Sequence, residues 1–329
     1  VKLIVQVPCL NEEATLASVL ETIPTHIDGI DEIEILVIDD GSTDRTVEVA
    51  IEHGVHHIIS HTGRMGLARS FRDGVDYAMS HGADIVVNTD GDNQYPQARI
   101  GDLVAPILAG RADIVIGDRQ THTIKHFSAF KKVMQRFGSW VVNRAAGTEL
   151  PDAASGFRAY SRYALYRLNV VTQFSYTMET IIQAGNKSIA IDSVEIATNA
   201  KTRESRLFKN MFEHMIKSGQ AILRSYVMFK PWSVFAALGT FLGVIGMIPF
   251  VRYAILLTDG DKGNHYQSLM LGTLLLIGAA LSIALGVLSD LSKTNRILTE
   301  DQLFRIKVQM YGPALPAATA ARERRALGR

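Results

Sequence analysis

Through the first half of the chain, short β-branched runs alternate with stretches whose apolar positions recur at helical spacing. Residues 3–7 predict a strand, and from residue 12 the positions Leu16, Val19, Leu20 and Ile23 predict a helix. Residues 33–38 predict a second strand, after which Ser42-Thr43-Asp44 opens a helix over 46–53. Residues 55–60, 85–88 and 114–116 predict three more strands, with a helix over 68–81. This alternation argues for an α/β fold with a Rossmann-like, doubly wound, mostly parallel sheet covered on both faces. Ligands of such sheets lie beyond the carboxyl ends of the strands.

The pattern changes after residue 205. Over 206–231, Met211, Phe212, Met215, Ile216 and Ile222 form an apolar stripe set among Lys209, Lys217, Arg224 and Lys230. Amphipathic juxtamembrane helices would look like this, and so would a helix that packs one domain on another. Residues 234–251 carry no charge and are extended past Arg252, and 268–289 are again uncharged. Both runs approach or exceed the roughly 20 residues that cross a hydrocarbon core. They predict transmembrane helices over 232–258 and 268–290, joined by an extracytoplasmic loop at 259–267. A cytoplasmic tail over 291–329, disordered in part, would follow. The loop holds Asp259, Asp261 and Lys262, whereas Lys217, Arg224, Lys230, Lys293, Arg296, Arg305 and Lys307 flank the pair. This bias places both flanks, and the catalytic part with them, on the cytoplasmic side of the cytoplasmic membrane. Buried helices of a soluble fold are the alternative. Pro249 would kink the first span.

Composition alters this picture little. In 329 residues a net charge of only +1 provides no basic field for nucleic acid. The mean hydropathy of +0.11 is high for a soluble enzyme, and its excess lies in the two apolar runs. The single cysteine, Cys9, excludes an intrachain disulfide and sits in strand-like surroundings that suit a buried thiol. The apolar start, broken at Lys2 and ending in Pro8 and Asn11-Glu12-Glu13, reads as strand and turn rather than as a leader.

The sharpest chemical feature is Asn88-Thr89-Asp90-Gly91-Asp92-Asn93-Gln94-Tyr95-Pro96, directly after a buried strand. Asp90 and Asp92 at a strand end, with Gly91 allowing a tight turn, can converge on one hard cation. Gln94 adds a neutral oxygen, and a nucleotide diphosphate would complete the shell of Mg²⁺ or Mn²⁺. A calcium EF-hand loop is excluded, because Tyr95 and Gly101 stand where its glycine and bidentate glutamate must be. An Asp-X-Asp alone also fits a plain polar turn. In Val37-Ile38-Asp39-Asp40-Gly41-Ser42, Asp39 and Asp40 suit base N–H and ribose hydroxyls, while Asp40 or Ser42 equally suits a helix cap. Pro8 to Glu13 fits a helix start with acids at its positive end. Gly63-Arg64-Met65-Gly66 is neither a dinucleotide fingerprint nor a P-loop.

In this order, Pro8 to Glu12, Asp39-Asp40-Gly41-Ser42, Gly66-Leu67-Ala68, Asp90 to Pro96, Gly117-Asp118-Arg119 and Ser155-Gly156-Phe157-Arg158-Ala159-Tyr160 resemble the family 2 glycosyltransferases of the GT-A fold. They are similar to the branch containing dolichol-phosphate mannose synthase and the GtrB-like polyisoprenyl-phosphate glycosyltransferases. The resemblance covers about residues 2–210 and implies a GT-A catalytic domain over 1–205. It implies a hexosyltransferase that moves a sugar from a nucleotide-sugar, UDP-linked by preference or GDP-mannose, to a polyprenyl phosphate with inversion. Pro8, Leu10, Glu12, Asp39 and Asp40 match nucleoside-binding positions, with Leu10 where the family usually has an aromatic residue. Asp90, Gly91, Asp92 and Gln94 match the metal and diphosphate positions, with Mg²⁺ or Mn²⁺ as cofactor. Arg119, Arg203 and Arg206, with Ser205, match the region that holds the acceptor phosphate. Lys131 and Lys132 could assist there, or form a solvated basic face. The implied partners are the donor, an undecaprenyl, decaprenyl or dolichyl phosphate and the bilayer, with homo-oligomerisation open. Two competing expectations are a membrane-bound polysaccharide synthase with a sugar hydroxyl acceptor and a catalytically inactive nucleotide-binding membrane scaffold. The first normally carries Gln-X-X-Arg-Trp, which Gln135-Arg136-Phe137 does not match.

Overall fold

The computed structural model describes residues 1–120, 129–171, 176–199, 227, 231–258, 263 and 265–312, with backbone alone over 129–137. The described residues fall into two compact units, one within Val1–Ile222 and Gln302–Arg329 and the other within Leu223–Asp301.

The first unit is built on strands β1 (Lys2–Cys9), β2 (Glu32–Asp39), β3 (His57–Ser60), β4 (Ile85–Asn88), β5 (Ile114–Asp118), β6 (Arg158–Ser161) and β7 (Ile191–Glu195). They form one sheet in the order β3-β2-β1-β4-β6-β5-β7. All neighbours are parallel except β6, which runs antiparallel to β4 and β5. The sheet is therefore mixed, not purely parallel, and β6 and β7 lie beyond the strands predicted from the sequence.

Strand β1 is buried on both faces from Leu3 to Cys9 because both are covered, the condition under which a parallel strand loses its alternation. Leu3, Val5, Val7 and Cys9 share a core with Leu16 and Val19 of α1 (Leu16–Thr22), Ala50 of α2 (Thr46–Glu52) and Leu103 of α4 (Ile100–Leu108). On the other face, α3 (Leu67–Ser80) lies close enough that a Cβ on Gly74 would meet Gln6 and Ile38. Three further helices complete the unit: α5 (Ala129–Ala146), α6 (Arg162–Arg167) and α7 (Tyr176–Asn186).

From β1 the chain winds outward through β2 to β3, then returns to the opposite side of β1 as β4. The carboxyl ends of β1 and β4 thus flank a topological switch point, where two loops diverge and leave a crevice. Asn88 of β4 pairs with Gln6 of β1, so the loop beginning at Thr89 leaves the sheet beside Pro8 and Cys9.

The second unit is a helical hairpin of α8 (Pro231–Thr258) and the first part of α9 (Tyr266–Tyr311), both long and apolar enough to cross a membrane. Small residues line their contact: Gly239 and Gly246 face Gly272, Ala279 and Ser282, and Ser282 Oγ donates to Phe235 O at 3.0 Å. Phe241, Val244, Met270 and Leu274 remain exposed. Pro249 lies inside α8 without ending it.

The helix predicted to stop at 290 continues to Tyr311. Nothing between 290 and 311 breaks it, and Arg296 pairs with Glu300 one turn on. It ends at Gly312, whose φ of +84° and N–H bond to Val308 O make a glycine C-cap. Of the predicted loop at 259–267, residues 259–262 and 264 lie outside the described residues, as do 206–226 and 228–230 of the amphipathic stretch and 313–329 of the tail.

Candidate active site

Three loops meet at the crevice, held by hydrogen bonds between chain segments about 30 or more residues apart. Asn11 N donates to Ser42 Oγ at 2.8 Å, Glu12 N to Thr46 Oγ1 at 2.8 Å, and Thr43 N to Asn11 Oδ1 at 2.8 Å. The loop after β1 is thus stitched to the loop after β2. Thr15 Oγ1 donates to Gly91 O at 2.8 Å, which joins the acidic loop to the same assembly. Gly91 is needed there, because a Cβ would lie 2.8 Å from Cys9 Sγ and 3.3 Å from Glu12 Cγ. Cys9 is buried, and burial with the charge of Glu12 pushes its thiol well up. It is a structural thiol.

The paired aspartates after β2 have separate tasks. Asp39 accepts Ser42 N at 3.0 Å on one carboxylate oxygen. Asp40 is engaged by the turn before Leu67: it accepts Met65 N and Gly66 N, both at 2.8 Å, and lies 2.9 Å from His61 Nδ1. Gly66 precedes α3, so Asp40 fixes the turn that leads into α3 rather than the start of the helix directly after it. That next helix is served by Asp44, whose Oδ1 accepts Thr46 N at 3.0 Å. Pro8 and Leu10 stand at the end of β1, and Glu12 is buried against Gly91.

Asp90 and Asp92 are both half-buried beyond β4. Asp92 accepts Gln94 N at 3.2 Å and Gln94 Nε2 at 2.6 Å, so the side chain of Gln94 is drawn onto the loop it was predicted to complete. Asn93 turns the chain with a φ of +56°. Asn199, four residues beyond β7, pins this turn: its Nδ2 donates to Asn93 O and Tyr95 O, each at 3.1 Å, and its N–H to Gln94 O at 3.0 Å.

Beneath the loop runs a buried polar chain. Gln6 Nε2 donates to Asn88 Oδ1 at 3.0 Å, and Asn88 Nδ2 donates to Tyr176 OH at 2.8 Å and Gly156 O at 3.1 Å. Gly156 N donates to Tyr95 OH at 2.9 Å. The Tyr95 ring stacks on Phe157, and burial pushes its phenol up to about 12. A connected network of this kind favours one arrangement of its members.

Arg119, just past β5, does not stand alone. Its Nε and Nη2 form a fork on Asp152 at 2.7 and 3.0 Å, and a fifth of its side chain remains exposed. Burial raises the Asp152 carboxyl, but the Arg119 bonds and charge outweigh it and hold the group below its ordinary range. Arg203, Ser205 and Arg206 lie outside the described residues, as do the side chains of Lys131 and Lys132.

The donor set fits a hard divalent cation. Among the described residues no group of three His, Cys, Asp or Glu side chains is placed to hold a metal by itself. Asp90 and Asp92 supply two carboxylates, so phosphate and water would supply the remaining oxygens, as Mg²⁺ and Mn²⁺ prefer. Asp152, Tyr176 and Asn199 were missed in the sequence, since each reaches the site from an element distant in the chain.

The sequence profile described as glycosyl transferase family 2 matches residues 4–168. A polyprenol monophosphomannose synthase from Mycolicibacterium smegmatis is 23% identical over 253 residues, covering 74% of this chain and 91% of that protein. The low-salt glycan biosynthesis hexosyltransferase Agl6 from Haloferax volcanii is 26% identical over 260 residues, 75% of this chain, and the chain spans 58% of that relative's length. Among solved structures, glucosyl-3-phosphoglycerate synthase from Mycobacterium tuberculosis in complex with Mn²⁺ and UDP-glucose matches with a TM-score of 0.51 and 25% identity. That match covers 67% of this chain and 76% of that one.

Proposed function

Because this chain belongs to glycosyl transferase family 2, we propose that it transfers a hexose from a nucleotide-sugar to the phosphate of a polyprenyl phosphate at a membrane surface. The observation that carries the reading is the pair Asp90 and Asp92 at the switch point, seated between the β1 loop and the turn around Gly156. A UDP-sugar is the preferred donor, in line with the UDP-glucose and Mn²⁺ of the structural relative, and GDP-mannose is the alternative. The lipid acceptor rests on the polyprenol monophosphomannose synthase relative and on the apolar hairpin, which serves as the membrane anchor.

Asp39, beside the ends of β1 and β2, is placed to accept from the base or ribose, with Pro8, Leu10 and Glu12 forming the wall. Asp40 acts on the nucleoside only through the turn at Met65 and Gly66 that it holds. Asp90, Asp92 and, after releasing Asp92, Gln94 would hold Mg²⁺ or Mn²⁺. When bound, the ion supplies Lewis-acid stabilisation of the departing diphosphate. A lipid monophosphate, with a second pKa of about 6, is a nucleophile without a strong general base. The protein's remaining task is to neutralise and aim it. Arg119 provides a fixed guanidinium for that, held in plane by Asp152. Arg203 and Arg206 are assigned to the same task from the sequence. One in-line displacement then inverts the anomeric centre.

The test is transfer of labelled sugar from UDP- and GDP-sugars to polyprenyl phosphate in detergent micelles. Asp92→Ala should abolish transfer with its circular dichroism unchanged, and chelation should abolish it in the wild type. Transfer that persists in chelator would sink the metal role.

A further inference from the structure

A wholly buried cation lies under the site, and the donor chemistry does not use it. Arg158 opens β6 with no exposed surface. Its guanidinium donates through Nε to Ser155 O at 2.7 Å, through Nη2 to Ala153 O at 2.9 Å, and through Nη1 to Thr177 O at 2.8 Å and Thr180 Oγ1 at 3.0 Å. Every acceptor is neutral, and among the described residues no carboxylate pairs with it. A guanidinium without a counter-ion is costly to bury, and only this full set of acceptors makes the placement tolerable. Two acceptors belong to the turn that leads into β6, and two to the first turns of α7. One planar fork therefore ties the turn to the helix, a task for which Lys lacks the geometry.

That turn is the wall of the acidic loop. A Cβ on Gly156 would lie 3.3 and 3.4 Å from the two carboxylate oxygens of Asp90, so the backbone there sits directly against Asp90. Gly156 also binds Tyr95 through its N–H and Asn88 through its carbonyl. At the upstream end of the same turn, Asp152 holds Arg119. Tyr176 senses both charges: burial and then Asp90 push its phenol up, and Arg158 works in the opposite direction.

We infer that Arg158 is a positioning residue of the donor site, shaping residues 153–157 so that Asp90 and Arg119 are correctly presented and placing a fixed positive charge beneath the acidic loop. The inference rests on the donor reading above. It is tested on the full chain in detergent by calorimetric titration of UDP with Mn²⁺, with the Mn²⁺ paramagnetic resonance spectrum and a melting curve recorded alongside. R158K retains the charge and loses the fork; Thr180→Val removes one acceptor and leaves Arg158 intact. R158K should weaken UDP binding in Mn²⁺ by roughly tenfold or more and alter the Mn²⁺ spectrum, as loss of an outer-shell support does. Thr180→Val should do the same by a smaller factor. Variants that melt lower yet bind UDP and Mn²⁺ as the wild type does would reduce Arg158 to a structural residue and overturn the inference. If R158K does not fold, Thr180→Val decides by the same criterion. A wild type that binds neither UDP nor GDP with Mn²⁺ overturns the donor reading itself, an outcome distinct from any difference between variants.

Discussion

Asp39 and Asp40 are adjacent and chemically identical, yet the fold gives them different tasks. With Asp40 absorbed by Met65 N, Gly66 N and His61, Asp39 is the member of the pair that we propose to meet a nucleoside. Asp40→Ala should therefore lower stability by about 1–3 kcal/mol, the cost of leaving the Met65 and Gly66 donors without their acceptor. Asp39→Ala should instead raise the donor KM, with a smaller loss of melting temperature because it gives up only the bond from Ser42 N. Melting curves and donor kinetics on the two variants check this. Asp152 carries a pH signature. Its carboxyl is held below the ordinary value of about 3.9, so its contribution is complete above that pH and is lost as pH falls through the lower, folded-state value. Asp152→Asn should flatten stability against pH below about 4 and lower turnover through the loosened Arg119.

Among the elements, the strands of the first half are legible because their apolar runs are short and punctuated by Gly, Asn and Asp. Strand β6 is not, since Arg158-Ala159-Tyr160-Ser161 shows neither alternation nor a β-branched residue. Its pairing with β4 and β5 decides it. The hairpin shows the reverse case, where composition announces two apolar helices but not how they meet. A Cβ on Gly272 would lie 2.8 Å from Gly246 O and 2.8 Å from the Phe250 ring, so backbone meets backbone at that level. Gly272→Leu should force α8 and α9 apart and lower the hairpin's melting temperature in detergent, whereas Leu274→Ala, at an exposed position, should not. Thermal unfolding in micelles distinguishes the two.

At the scale of the whole chain, the long helix α9 ends inside the first unit. Lys307 Nζ donates to Leu165 O and Leu168 O at 3.3 Å and to Asn169 Oδ1 at 3.2 Å, at the carboxyl end of α6. Phe304 lies 4.1 Å under the guanidinium of Arg167 and edge-on to Tyr163 and Tyr166. The last turns of this helix are thus part of the catalytic unit, although the sequence places them in a tail. Lys307→Met should destabilise that unit by about 1–3 kcal/mol by stranding carbonyls that the ammonium satisfies. Denaturant unfolding followed by tyrosine fluorescence measures it.

The sequence by itself determined the α/β class, the two apolar helices and the acidic loop, since each is written in contiguous residues whose local chemistry admits few alternatives. Family membership follows from the same residues. Tertiary structure alone decided that β6 runs antiparallel, that Asp40 holds the turn before α3, that Arg119 leans on Asp152 and that Asn199 pins the acidic turn. These depend on groups from 25 to more than 100 residues apart meeting at one switch point, and pairings at that range leave no periodic trace in the chain.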